Sequence, residues 1–192
     1  MSVTIHRGSH TTIPPGTSPG LQFLKEFMPA LDSLEASSNP IASFLHPDAQ
    51  VFVGSNPPNS GRQAIPLLNV RRKHLQEFYH VIEVAWDITV PGSVQEEESG
   101  PEQKPGAKRT VMFEATSSTT FRSDPDQFAV KMKEFNILEL EYMSGEWVSQ
   151  EPGRGPGWQV VEMRTYMDPR PVQDRAARLH SVSAYGDSKT TS

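Results

Sequence analysis

The stretch Phe78–Val90, FYHVIEVAWDITV, decides the fold class. Phe78, His80, Ile82, Val84, Trp86, Ile88 and Val90 alternate with Tyr79, Glu83, Asp87 and Thr89, a period of two that belongs to a strand with one buried face. The segments before it carry a different period. In Ser18–Ala36, SPGLQFLKEFMPALDSLEA, a serine cap and a proline in the first turn precede Leu21, Leu24, Phe27, Met28, Leu31 and Leu34 at helical spacing. Asn39-Pro40 opens a short second helix ending at Pro47. Gly61–Phe78, GRQAIPLLNVRRKHLQEF, reads as a third, with Ile65, Leu68 and Leu75 apolar and the basic run facing water.

Beyond Val90 the strand pattern repeats. Arg109–Arg122 is β-branched and aromatic, Gln127–Met143 alternates over a long span, and Trp158–Asp168 is the last run; Asp48–Gly54 is a short first strand. Helices first and then an antiparallel meander make an α+β plan, a curved sheet wrapping three N-terminal helices and leaving a conical cavity. Residues 18–175 form the expected domain. Residues 1–17 and 176–192 are polar or small, and neither is expected to order itself. Residues 91–108 read as a flexible insert between two strands, rich in Pro, Gly and Glu.

The 192 residues carry a formal net charge of −5, 35% hydrophobic residues and no cysteine. The absence of cysteine excludes a disulfide framework, a thiolate nucleophile and any Cys-ligated metal. Arg71–Lys73 is the only basic run, too little for a nucleic-acid interface. No apolar stretch approaches the length of a bilayer span, so neither nucleic acid nor membrane is an expected partner and a cytoplasmic location is the default. There is no phosphate loop and no dinucleotide fingerprint, and His46 and Asp48 lack a third ligand at a set interval. No cofactor and no metal are expected.

The chemistry-bearing residues lie on the strands. His80 is in phase with the apolar stripe, as a general acid or base facing a cavity or as a buried imidazole satisfied by hydrogen bonds. Glu134 and Asn136 share a side of their strand with Val130, Met132, Leu138 and Leu140, and polar groups inside such a stripe need partners or a wet cavity. A bulge would exchange the faces. Glu114, on the face with Thr116, Ser118 and Thr120, looks toward solvent or a dimer surface. Glu162 and Arg164 read as salt-bridge partners of neighbouring strands, Tyr166 as a phenol reaching the cavity, and Asp168 as a turn cap before Pro169.

Three runs carry a family resemblance. His46–Gly54, HPDAQVFVG, then Asn56–Ile65, NPPNSGRQAI, and finally Arg164–Pro169, RTYMDP, resemble the signatures of the nuclear transport factor 2-like superfamily, particularly its SnoaL-like polyketide cyclase and ketosteroid isomerase-like branch. The resemblance implies a cone-shaped α+β domain and a homodimer joined through the sheet. It implies cofactor-independent isomerase, cyclase or dehydratase chemistry on a small apolar polyketide or terpenoid intermediate. His80, Asn136 and Glu134 would then be catalytic, with Asn136 near the oxyanion-stabilising position, and Phe52, Trp86, Met132, Leu138 and Tyr166 would be cavity walls. Ketosteroid isomerases carry a general-base aspartate close to Phe52, Val53 and Gly54, where this chain has no carboxylate. A base would have to be His80 or Glu134. The alternative is a non-catalytic ligand-binding or dimerisation protein of the same fold.

Overall fold

The computed structural model describes residues 1–35, 40–89, 105–143 and 157–186. The chain opens with a strand, β1 (Ser2–Arg7), where the sequence analysis expected an unordered tail. It pairs antiparallel with the later strand β4 (Leu75–Thr89), Ser2 opposite Thr89 and Arg7 opposite Val84. A single 3-10 turn at His10–Thr12 follows, and Ile13 enters the core. One anchored apolar side chain and a ready sheet edge order a segment whose composition alone gives no such signal.

Helix α1 (Pro19–Asp32) buries Leu21, Leu24, Phe27, Met28 and Leu31, as its periodicity predicts. Its N-terminus is fixed by Asp87, whose Oδ2 accepts the Gly20 N–H at 2.8 Å and an Arg109 Nη1–H at 2.6 Å. The expected second helix shrinks to a 3-10 turn, Pro40–Ser43, because the chain becomes extended at Leu45; its cap, Asn39, lies outside the described residues. Strand β2 (Leu45–Val53) and the two-residue β3 (Asn59–Ser60) lead into helix α2 (Gly61–His74). There the Gln63 side chain reaches back to the Ser60 N–H, half of a capping box.

Strands β5 (Lys108–Phe121), β6 (Val130–Met143) and β7 (Gly157–Met167) complete a sheet of order β1-β4-β5-β6-β7-β2-β3. β4 to β7 form the expected antiparallel meander, but β2 pairs parallel with β7, so the sheet is mixed. It is curved and unclosed. The helix α3 (Arg170–Gly186) falls largely in the stretch expected to be an unordered C-terminal tail. Arg175 holds it down through an ion pair with the buried Asp124 of the β5–β6 turn and a position 5.4 Å over the Phe128 ring. Most of the 91–108 insert and the last residues of the C-terminal tail lie outside the described residues.

A bulge in β4 rearranges its faces. The pairing with β5 slips between Ile82 and Val84, and beyond it Ala85 and Asp87 are buried while Trp86 turns outward. The alternation read from Phe78 to Val90 therefore holds for its first half and inverts for its second.

Candidate functional site

The inner face of the sheet, α1, α2 and α3 enclose a cavity of about 570 Å³. Its walls include Leu31, Leu68, Phe78, Phe121, Met132 and Met163, and its polar lining includes His80, Glu134, Asn136 and Thr165. The volume and the mostly apolar lining with a few converging polar groups are those of a small-molecule site.

His80 stands on β4 before the bulge, so its inward phase survives. It is 7% exposed and sits between two carboxylates. Its Nδ1 is 2.5 Å from Asp32 Oδ1, its Nε2 3.2 Å from Glu134 Oε2, and its backbone N–H donates to Asp32 Oδ2 at 2.9 Å. Burial works against the charged imidazolium, but the hydrogen bonds and charges of Asp32 and Glu134 more than offset it and raise the pKa to about 9. At neutral pH the ring carries its proton. Burial likewise pushes the Glu134 carboxyl up, and His80 together with the neighbouring Ser117 and Asn136 overrides that and holds it below the usual carboxylate range.

Glu134 and Asn136 project from the inward face of β6, where no slip intervenes between them. Asn136 Oδ1 accepts the Thr165 hydroxyl at 2.7 Å, which fixes the amide, while its buried Nδ2 faces Glu134, which it helps to hold ionised, without a partner at close hydrogen-bond geometry. A buried donor without a partner is costly unless a ligand or water meets it. The Ser117 hydroxyl, on β5 directly opposite His80, is likewise buried near Glu134 without a close hydrogen bond.

The sequence reading missed two members. Arg71, assigned there to a water-facing run, lines the cavity: it donates to the Leu31 carbonyl at 2.7 Å and the Leu68 carbonyl at 3.1 Å, and lies 4.3 Å over the Phe78 ring. Burial lowers its pKa to about 10, with Asp32 and Glu134 acting the other way, so it stays charged at neutral pH. Asp32 ends α1, 48 residues from His80, and no spacing signal connects the two. The charges of Asp32, Glu134, His80 and Arg71 sum to zero.

The register corrects three of the expected cavity walls. Ile5, Trp86, Met112, Ile137, Arg164 and Phe52 stand opposite one another across six strands, forming one outward row. Phe52 lies 4.1 Å beneath the Arg164 guanidinium, and Trp86 packs on Phe135, which packs on the half-exposed Tyr166. All three belong to the outer face because of the β4 bulge and the phases of β2 and β7. Leu138, a fourth expected wall, faces inward but is sealed in the core rather than lining the cavity, and Met132 alone of the five lines it. Glu114 is exposed on the outer face. Glu162 pairs within its own strand with Arg164 at 2.6 Å rather than with neighbouring strands, and Asp168 accepts the Arg170 N–H at 3.1 Å. Among the described residues no cluster of metal-binding side chains occurs, and no helix is long and apolar enough to cross a membrane.

With helices cradled in a mixed, open sheet around a blind cavity, the chain has the fold of the nuclear transport factor 2-like superfamily. It is similar to a candidate SnoaL-like polyketide cyclase from Jannaschia sp. CCS1, at 16% identity over 83% of this chain and 92% of that one, with a TM-score of 0.52. A candidate aromatic ring hydroxylase from Novosphingobium aromaticivorans is similar at 11% identity over 78% and 91%, with a TM-score of 0.51. No protein-family model matches the chain, and no curated protein matches it by sequence.

Proposed function

We propose that this protein is a cofactor-independent isomerase, cyclase or dehydratase that moves a proton on a small apolar polyketide or terpenoid intermediate. The observation that carries the reading is the buried Asn136 Nδ2, which lacks a close hydrogen bond, beside the Asp32–His80–Glu134 cluster at the polar end of an apolar cavity. A substrate carbonyl placed against Asn136 Nδ2 would leave its acidic C–H near the Glu134 carboxylate. Charge developing on the oxygen is then met by a donor that is already fixed, since Thr165 holds the amide. Glu134 takes the proton as general base. The His80 imidazolium, itself steadied by Asp32, stabilises Glu134 before transfer and supplies a proton for its return or for a departing hydroxyl. The apolar walls lower the local dielectric around these groups and so strengthen their interactions.

Solvent-deuterium incorporation into a panel of enolisable cyclic ketones, followed by mass spectrometry, tests this. Glu134→Gln and Asn136→Leu are each expected to slow exchange by roughly 10²-fold. Exchange by both variants at the rate of the parent protein would sink the reading.

One observation favours a second reading. His80 offers both its backbone N–H and its ring to Asp32, which fastens the end of α1 to β4, a purely structural duty. A non-catalytic ligand-binding protein would bind compounds in the cavity with no exchange at all.

The outer sheet face supports a homodimer. Outward along β6 the order is Lys131, Lys133, Phe135, Ile137, Glu139, Glu141: two cations, two apolar residues, two anions. A copy turned by a two-fold axis between Phe135 and Ile137 brings each basic end over the other's acidic end, the self-complementarity that such an interface requires.

A further inference from the structure

The mouth of the cavity has a chemistry that proton transfer does not use. α2 presents Leu67, Val70, Arg71 and His74 to it at helical spacing, and α3 crosses opposite with Leu179 and His180. Leu67 and Val70 are 57% and 43% exposed, so the apolar lining continues out to solvent. The polar groups there favour an anion. Among the described lining residues Glu134 is the sole carboxylate, and it is already paired with His80. Arg71 belongs with the neutral deep cluster; at the mouth His74 and His180 offer imidazole nitrogens from two helices, and the last turn of α2 adds the cations Arg72 and Lys73 beside them. This gathering sits on a chain whose net charge is −5. Basic residues at a helix C-terminus offset its dipole, which accounts for the run on α2 but not for His180, which comes from a different helix.

We propose that the ligand of this cavity is an amphipathic anion: its apolar body fills the cavity, an inner oxygen meets Asn136, and a carboxylate or phosphate group stays at the mouth beside His74, His180 and the basic end of α2. The proposal rests on the cavity being the ligand site and names the class of ligand that site takes. An anionic end fits an apolar opening that carries two imidazoles able to donate to it and the Arg72 and Lys73 charges beside them, since a field of that sign concentrates and orients anions before they enter. The deep cluster is neutral overall and neither attracts nor repels the inner end.

Two fluorescent probes of the same skeleton provide the test: anilinonaphthalene sulfonate, an anion, and N-phenyl-1-naphthylamine, its neutral counterpart. The parent protein is expected to bind the anion roughly tenfold more tightly at low salt, with the preference shrinking at high salt. In the variant combining Arg72→Gln, Lys73→Gln, His74→Gln and His180→Gln the preference is expected to vanish, while the Kd of the neutral probe is unchanged. Equal affinities in the parent protein, or a preference that survives in the variant, would overturn the proposal. Failure of both probes to bind would instead remove the cavity as a ligand site, and with it the proposed function. Displacement of the neutral probe by decanoate or by decyl phosphate, and not by decanol, supports the proposal and tells the two anionic groups apart. Equal displacement by decanol overturns it, as does binding to phosphatidylserine vesicles without displacement by either free anion.

Discussion

His80 ties the site's chemistry to the stability of the protein. Its pKa is raised to about 9 from an ordinary value of 6.5, so the folded state holds the proton more tightly than the unfolded chain. The stabilisation is fully present below about pH 6.5 and is lost as pH rises through about 9, amounting to an order of 3 kcal/mol. Glu134 has the opposite sign: its lowered pKa contributes above the ordinary carboxylate range and is lost in acid. Urea denaturation of the parent protein is expected to show stability falling between about pH 6.5 and pH 9, and His80→Gln should flatten that limb. A parent protein of constant stability across that interval would contradict the buried ion cluster. At this scale the sequence was legible wherever a residue shared the stripe of its own strand, as His80, Glu134 and Asn136 do. It was silent on Asp32 and Arg71, because their roles depend on which helix end meets which strand, a relation that no local period encodes.

Among the elements, β4 shows how one inserted residue redirects a strand. Alternation predicts Trp86 inside and Asp87 outside, and the bulge between Ile82 and Val84 reverses both. The reversal brings a carboxylate to the first turn of α1 and gives the outer face its indole. Asp87 is buried with Arg109 as its ion partner and the Gly20 N–H as a further donor. Removing it leaves a largely buried guanidinium without its counter-charge, so Asp87→Ala is expected to cost roughly 3–5 kcal/mol in urea unfolding. A loss below about 1 kcal/mol would mean that the pair contributes no more than a surface bridge. The alternation carries no mark of the bulge itself, since Val84 and Ala85 are both apolar and either phase looks reasonable on paper. The same holds for β1 and α3: each is ordered by a few contacts made far away, Ile13 in the core and Arg175 on Asp124, within stretches whose average composition resembles a tail.

For the molecule as a whole, the face left uncovered by helices carries the row from Ile5 through Trp86 to Ile137, with Phe135 and Tyr166 beside it. If the proposed two-fold pairing along β6 holds, light scattering after size exclusion is expected to give twice the chain mass. Ile137→Lys puts a cation at the proposed axis and should leave a folded monomer, with its cavity still taking up the neutral naphthylamine probe. A parent protein that stays monomeric at every concentration would remove the dimer while leaving the cavity argument untouched.

The parallel pairing of β2 with β7 also orders events in time. The ribosome delivers β2 well before β4, β5 and β6, yet its long-range neighbour in the sheet is the last strand to be made. The meander can zip up from adjacent hairpins, whereas β2 must wait with Leu45 and Val51 still unburied, both of which end in the core. Assembly of this protein is therefore expected to finish with a single late event, the docking of β2 onto β7. The interval before that docking is when a growing chain most needs a chaperone.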